Sequence, residues 1–507
     1  MDIGSYLAQN ARKTPEKLAI ECEGRSYTYK QFNEEVNKLA HGLLSLGIHK
    51  GDKLALMMKN SDQFVFAFFA GAKIGAVIVP VNFRLTASEV HYILEQSGTV
   101  LVICDDEFED IINSAREGTN AAHVITTGTP KAVGHHSLNH VLSDKVTDPL
   151  IEVRDDDDLE ILYTSGTTGR PKGALFDHKR VFNVGLTMMI SMGINQEERI
   201  LHIAPLFHSA QLNLFLVSGV VLGASHIIHR DFHPVTTLQA IQQHKITHFF
   251  GVPAMYNFML QVPNASDYDL SSIKRCGYGA APMAPELVRK SMELFRTDQF
   301  YNLCGLTEAG PGGILLGPEG HRHHLGKGGK AAFLTEARVV DEEGKDIKSG
   351  AVGEFIIKGE SIMKEYYKKP EETAKTIKEG WLYTGDLATV DENGYITLVD
   401  RKKDMIISGG ENVYSIEVEE VLYEHPAVLE AAIIGLPDEV WGEAVCAVIV
   451  PKQDEAVDEQ QLKTFCRQKL AGYKVPRKIF IEEVLPRNAS GKILKYQLRQ
   501  KLNEVKL

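Results

Sequence analysis

The segment 164–173, TSGTTGRPKG, places three glycines, four hydroxyls, an arginine and a lysine within ten residues. Gly166, Gly169 and Gly173 allow positive φ and close approach by a ligand. Thr164, Ser165, Thr167 and Thr168 add hydroxyl donors, and Lys172 adds charge. Together these are the means of holding a polyanion. The frame is not a Walker A loop, because no Ser or Thr follows the lysine as that motif requires. A plain surface turn is the competing reading. An apolar strand over 159–163 precedes the loop, and the pattern predicts a helix over 178–193 after it. Strand, loop and helix in that order would aim backbone N–H groups and a helix N-terminus at the anion.

The elements around the loop follow two styles. The first half alternates, with a helical period over 30–47, a strand over 53–58, a buried helix over 63–75 and a strand over 76–82. Such alternation predicts parallel sheets with helices on their faces. Near residue 350 the strands GEFIIKG (353–359) and GYITLVD (394–400) introduce an antiparallel region, and the Asn-Gly of DENG (391–394) is a tight-hairpin signal. The fold class expected is α/β, with mixed and parallel sheets flanked by helices plus an antiparallel β subdomain over 1–400. A small mobile α+β domain follows over 401–507, with a hinge at 400–404.

Composition excludes several classes. The 44% hydrophobic and 24% charged content is that of an ordinary globular protein, and 507 residues are too many for one core. Six scattered cysteines without CxxC spacing suggest neither zinc nor disulfides, so a reducing cytoplasm is expected. The net charge of −12 argues against nonspecific nucleic-acid binding. The tail 463–507 nevertheless carries 12 basic and 3 acidic residues. It reads either as a solvated helix face or as a surface that meets a polyphosphate. No signal peptide is expected, and the apolar run 212–228 is short and interrupted, a buried helix and strand rather than a membrane span.

Further segments occur in order with the glycine loop: PLFHSAQ (205–211), GYGAAPM (277–283), NLCGLTEAG (302–310), GEFIIKG (353–359), YTGDLA (383–388), DRKKDMIISGGENVYSIEVEE (400–420) and LPRNASGKILKYQL (485–498). With them the chain resembles the acyl-adenylate-forming (ANL) superfamily, and within it the acyl-CoA synthetases.

The resemblance implies a set of roles. The 164–173 loop would hold the β- and γ-phosphates of ATP. Thr307 would bond the α-phosphate and Glu308 would hold Mg²⁺, although a Thr-Glu pair is commonly a helix cap. Gly279, Ala280 and Ala281 would line the adenine, or simply form a helix entry with Pro282 in the first turn; Asn302, Leu303 and Cys304, in the NLCGLTEAG segment, would also bind the nucleotide. Asp386 would accept hydrogen bonds from the ribose hydroxyls, Arg401 would reach the ribose or phosphate, and Lys403 would be the hinge. Lys492 would stabilise the charge that develops during adenylation. His208 would gate the carboxylate pocket. Gly409 and Gly410 would admit the pantetheine arm, and Lys474 and Arg477 would meet the CoA phosphates. One departure stands out. Where the family usually has an aromatic that stacks on adenine, this chain has Cys304, a loss of roughly 1–3 kcal/mol of stacking.

The resemblance therefore implies an AMP-forming acid–thiol ligase that uses ATP, Mg²⁺ and coenzyme A on a small-molecule carboxylic acid, with a medium- or long-chain fatty acid favoured. Aryl, short-chain and dicarboxylic acids stay open, as do a carrier-protein-loading adenylase, a luciferase-like oxygenase and a non-catalytic nucleotide-binding protein. A homodimer and a peripheral membrane contact also stay open.

Overall fold

The structure, a computed structural model, describes residues 1–164, 170–281, 283–453, 457–487 and 493–504. Strands of the first 401 residues form three sheets. The largest runs in the order Lys330–Ala331, Gly313–Leu316, Phe300–Gly305, Arg275–Gly279, His248–Gly251, Arg199–His202, Ser225–Ile228, Leu18–Cys22 and Arg25–Thr28. Its middle six interfaces-forming strands, from Phe300–Gly305 to Leu18–Cys22, are parallel, and the outer ones antiparallel. The second sheet centres on Lys53–Met57, Val77–Pro80, Thr99–Cys104 and Asp158–Thr164 in parallel. Buried aromatics such as Phe32, Phe64, Phe68 and Phe69 fill the core between these layers. Two of the covering helices carry plain local reasons for their limits. Tyr29–Ser45 starts at a Thr28–Gln31 capping box, and Asp62–Ile74 ends on Gly75 at φ 70°.

The third sheet is antiparallel throughout. Val352–Gly359 pairs with Trp381–Val390, which pairs in turn with Ile396–Arg401. The DENG turn therefore joins Trp381–Val390 to Ile396–Arg401, and a strand not read in the sequence separates the two that were. The C-terminal region builds a fourth sheet from Ile406–Ser408, Glu411–Val413, Val428–Asp438, Gly442–Pro451 and Lys478–Ile481, covered by the helices Ser415–Tyr423, Glu459–Arg467 and Lys495–Glu504. The run 212–228 is buried as expected, as the end of a wide π-type helix Ala210–Val217, a helix Ser218–Leu222 and a strand Ser225–Ile228. No helix among the described residues is long and apolar enough to cross a membrane.

The order of the largest sheet fixes where a ligand can enter. Arg199–His202 is followed in sequence by a neighbour on one side, Ser225–Ile228, and then by one on the other, His248–Gly251. At such a reversal the connections leave in opposite directions and open a crevice beyond the strands' carboxyl ends.

Candidate functional site

The glycine loop joins two antiparallel strands, Asp158–Thr164 and Lys172–Asp177, with Thr164 opposite Lys172. This corrects the strand–loop–helix expectation. The helix His178–Met192 begins only after the second strand, and the carboxylate of Asp177 already caps it. Gly173 also differs from expectation: it has no positive φ, but an added Cβ would lie 2.5 Å from Ile161 Cγ2. Its glycine serves close strand packing. Ser165, Gly166, Thr167, Thr168, Gly169 and Lys492 lie outside the described residues.

A short strand, Glu365–Tyr366, adds to the edge of Lys172–Asp177 and sets Tyr366 opposite Ala174. The Lys172 ammonium then lies 4.3 Å from the Tyr366 ring centroid and 3.4 Å from Glu372 Oε2. The Tyr366 hydroxyl donates to Glu308 Oε1 at 2.8 Å. Burial, and then the Glu308 charge and hydrogen bond, raise the Tyr366 pKa, so it stays a donor. Tyr366 thus links the loop lysine to the Thr-Glu turn. No motif in the sequence pointed to it.

Thr307 and Glu308 open a single turn after Phe300–Gly305. The hydroxyls of Thr307 and Ser209 are 3.2 Å apart, which ties this turn to the PLFHSAQ segment. His208 Nδ1 faces the Ala210 N–H at 3.4 Å, and burial lowers its pKa to about 4, so the imidazole is neutral at neutral pH. His208 and Ala280 both line a cavity of about 150 Å³ at the sheet's crevice, with Gln211, Phe250, Val252 and Met255. Ala280 ends the strand Arg275–Gly279 at φ 66°, a left-handed conformation that a non-glycine residue holds only under local constraint. At Gly279 an added Cβ would sit 2.3 Å from the Leu303 carbonyl oxygen, so only glycine fits between the paired strands. Ala281 follows at half-burial, Pro282 lies outside the described residues, and the next helix starts at Pro285. Asn302 donates to the Lys327 carbonyl at 3.3 Å, which engages its amide within the sheet. Cys304 is partly buried opposite Ile314.

Asp386 and Arg401 are cross-strand partners, with Arg401 Nε 2.7 Å from Asp386 Oδ1. The Gly328 and Gly329 amides bond the Ile396 carbonyl at 3.0 and 3.1 Å, which ties the antiparallel sheet to the edge of the largest one. Next to Arg401, Asp400 accepts from the Ser415 amide at 2.6 Å and the Ser415 hydroxyl at 3.0 Å. Lys403 lies in the exposed turn between Ile396–Arg401 and Ile406–Ser408. Gly409 and Gly410 both have positive φ, and an added Cβ on Gly409 would lie 2.8 Å from Trp441. The Arg477 guanidinium stacks 3.8 Å from the centroid of that same Trp441 ring. Gly409 and Arg477 therefore meet at one indole, whereas Lys474 is held by both oxygens of Glu417 at 2.6 and 2.8 Å.

The basic tail is largely neutralised within the fold. Lys463, Lys469, Lys474, Arg487, Lys495, Arg499 and Lys501 each pair with a carboxylate. Most of those carboxylates, such as Asp404, Glu417, Glu419, Glu424 and Glu430, precede the tail in sequence. With their charges met by the fold's own carboxylates, these side chains fit the solvated-face reading better than a surface free to meet a polyphosphate.

The AMP-binding enzyme family matches residues 7–367, and the AMP-binding enzyme C-terminal domain matches residues 417–492. The chain is 36% identical to a feruloyl-CoA synthase of Amycolatopsis sp, over 98% of this chain and 99% of that one. It is 38% identical to the long-chain-fatty-acid–CoA ligase FadD13 of Mycobacterium tuberculosis (strain ATCC 25618 / H37Rv), over 98% of each. The crystal structure of the anthranilate CoA ligase AuaEII in complex with anthranoyl-AMP superposes with a TM-score of 0.92 at 28% identity, covering 100% of this chain and 98% of that one.

Proposed function

The chain belongs to the AMP-binding enzyme family and is an AMP-forming acid–CoA ligase that uses ATP, Mg²⁺ and coenzyme A; from that premise we propose that its acid is compact and carries a ring. The observation behind this reading is the cavity of about 150 Å³ at the crevice, next to His208 and Ala280. A cavity of that volume accommodates one benzene ring. The medium- or long-chain fatty acid expected from the sequence is the second reading, and the 38% identity to FadD13 favours it.

In the proposed cycle a carboxylate oxygen attacks the α-phosphorus of ATP, the bond to the bridging oxygen breaks, and pyrophosphate leaves. The thiolate of coenzyme A then attacks the acyl carbon and AMP leaves with the bonding pair. The first step brings two anions together, so its barrier is chiefly electrostatic. Lys172, with the hydroxyls and amides of 164–169, holds the terminal phosphates. Thr307 donates to the α-phosphate. Asp386 accepts from the ribose hydroxyls, and Arg401 holds that carboxylate in place. Gly279, Ala280, Ala281, Asn302, Leu303 and Cys304 form the wall beside the adenine. Lys492 stabilises the charge that develops at phosphorus. The lobe 401–507 turns on Lys403 between the two steps, and Gly409, Gly410 and Arg477 then receive the thiol arm; Lys474, engaged by Glu417, contributes less.

Glu308 fits a magnesium ion. Its carboxylate is oriented by the Tyr366 hydroxyl, and no group of three or more ligating side chains occurs among the described residues. An ion held by one or two carboxylates plus substrate phosphates needs no more. When bound, the ion would neutralise phosphate charge.

Exchange of pyrophosphate into ATP tests the reading on a panel of benzoate, cinnamate, octanoate, palmitate and succinate. Benzoate or cinnamate should give the highest kcat/KM. Palmitate above both would refute the compact-acid reading and leave the ligase assignment intact.

A further inference from the structure

The cavity's polar side chains differ in how they are paired. Asn60 donates to the Ala204 carbonyl at 2.9 Å and accepts from the Leu206 amide at 2.7 Å. Arg230 bonds Asp105 at 2.9 Å and Glu107 at 2.7 Å. Asp231 accepts from Lys59 at 3.2 Å. Gln211 is fully buried, lines the cavity, and has an amide oxygen, Oε1, with no hydrogen-bond partner.

The reason lies behind it. Gln211 Nε2 is 2.6 Å from His202 Nδ1, and His202 Nε2 is 2.9 Å from His226 Nδ1. The two histidines occupy adjacent strands with stacked rings 5.1 Å apart. Burial lowers both pKa values, that of His226 to about 3, so each ring is neutral, with one donor and one acceptor. A neutral chain has one direction. With the Gln211 Nε2 amide donating to His202 Nδ1, the neutral His202 ring carries its proton on Nε2 and donates it to His226 Nδ1. The amide is thereby committed through its nitrogen, and its oxygen is the atom left for the cavity.

We propose that Gln211 is a specificity-determining residue that accepts a hydrogen bond from a hydroxyl or amino group on the ring of the acid, with His202 and His226 as positioning residues that hold the amide in that orientation. This rests on the ring-acid reading above. Water can serve the oxygen while the pocket is empty, but an acid that displaces the water must supply a donor or leave a buried acceptor unpaired. A bare ring or an alkyl chain cannot.

The test compares acids that differ in one substituent: benzoate with its three monohydroxy isomers and with 2-aminobenzoate, and cinnamate with 4-hydroxycinnamate and 4-methoxycinnamate. Pyrophosphate exchange gives kcat/KM for each. The best hydroxylated or aminated acid should exceed its unsubstituted parent by about 10- to 100-fold, with the difference mainly in KM. Gln211→Leu should collapse that ratio to within about twofold, by losing on the substituted acid and gaining on the bare ring. Gln211→Met, closer in length, gives a second reading of the ratio, and the wild-type ratio needs no variant. Ring acids exchanged without regard to the donor, a preference for methoxy over hydroxyl, or a ratio unchanged in both variants overturns this proposal alone. No exchange with any ring acid overturns the ring-acid reading and this proposal with it.

Discussion

Glu160 sits in the middle of the strand that leads into the glycine loop, and nothing of it reaches solvent. Asn213 Nδ2 donates to its Oε1 at 2.6 Å, but Glu160 Oε2 and Asn213 Oδ1 are both buried without a partner. Two acceptors are left over and no donor serves them. Protonation of the carboxyl supplies one. Burial accordingly raises the Glu160 pKa from 4.5 to about 7, and the Asn213 bond only partly opposes the rise. The sign follows by linkage. Below pH 4.5 the group is protonated in both the folded and unfolded chains, and its contribution to stability is fully present. From 4.5 up to about 7 the unfolded chain releases the proton that the folded chain keeps, so stability falls as pH rises. A gap of that width amounts to about 3 kcal/mol, of which about 2.5 kcal/mol falls between pH 5 and pH 8. Glu160→Gln has the same shape and a permanent donor, and it does not titrate. All other titrating groups are common to both proteins and cancel in the difference. The melting temperature of Glu160→Gln relative to wild type, followed by circular dichroism from pH 5 to pH 8, should therefore rise by about 2–3 °C, with its midpoint on the acid side of neutrality. Parallel curves, with a constant offset at every pH, would refute the assignment of a proton to this buried carboxyl.

Four more outcomes are expected. Tyr366→Phe keeps the ring under Lys172 but loses the bond to Glu308, so the KM for MgATP should rise about tenfold while the KM for the acid holds; initial rates at varied magnesium check this. Asp386→Asn leaves a polar side chain beside Arg401 but removes the charge, and should raise the KM for ATP about 10- to 100-fold with no change toward a 2′,3′-dideoxy analogue of ATP. Ala280→Gly relieves about 1 kcal/mol of left-handed strain and adds a comparable unfolded-state entropy, so its melting temperature should stay within about 3 °C of wild type while the acid KM rises several-fold. Lys492→Ala should abolish pyrophosphate exchange yet keep thioester formation from supplied acyl-AMP, measured in separate half-reactions; equal loss of both would refute its role in the first step alone.

What the sequence made legible is what neighbours in the chain decide. The helix Tyr29–Ser45 could be read because its cap and its apolar period lie within one stretch. The loop 164–173 could be read because its chemistry is contiguous. The strand Trp381–Val390 escaped because WLYTGDLATV reads as a turn, and because register shifts where it pairs interrupt the alternation a strand would show. The strand Lys172–Asp177 escaped for a related reason: its first residues belong to the loop motif, and GALF is as compatible with a helix entry as with an edge. Charge alone left two readings of the tail open because attraction does not respect chain order: Arg499 finds Asp404, and Lys495 finds Glu419. The acid pocket was the least legible part. Its wall is assembled where consecutive strands are laid on opposite sides of Arg199–His202, so His208, Arg230, Met255 and Ala280 converge only after the sheet has formed. Gln211 shows the consequence most clearly. Its own neighbours, Ala210 and Leu212, predict a buried helix and no chemistry. The direction of its amide is decided by His202 on one strand and His226 on the next, and whether a ligand meets an oxygen or a nitrogen there is a property of the sheet, carried by no segment of the chain taken alone.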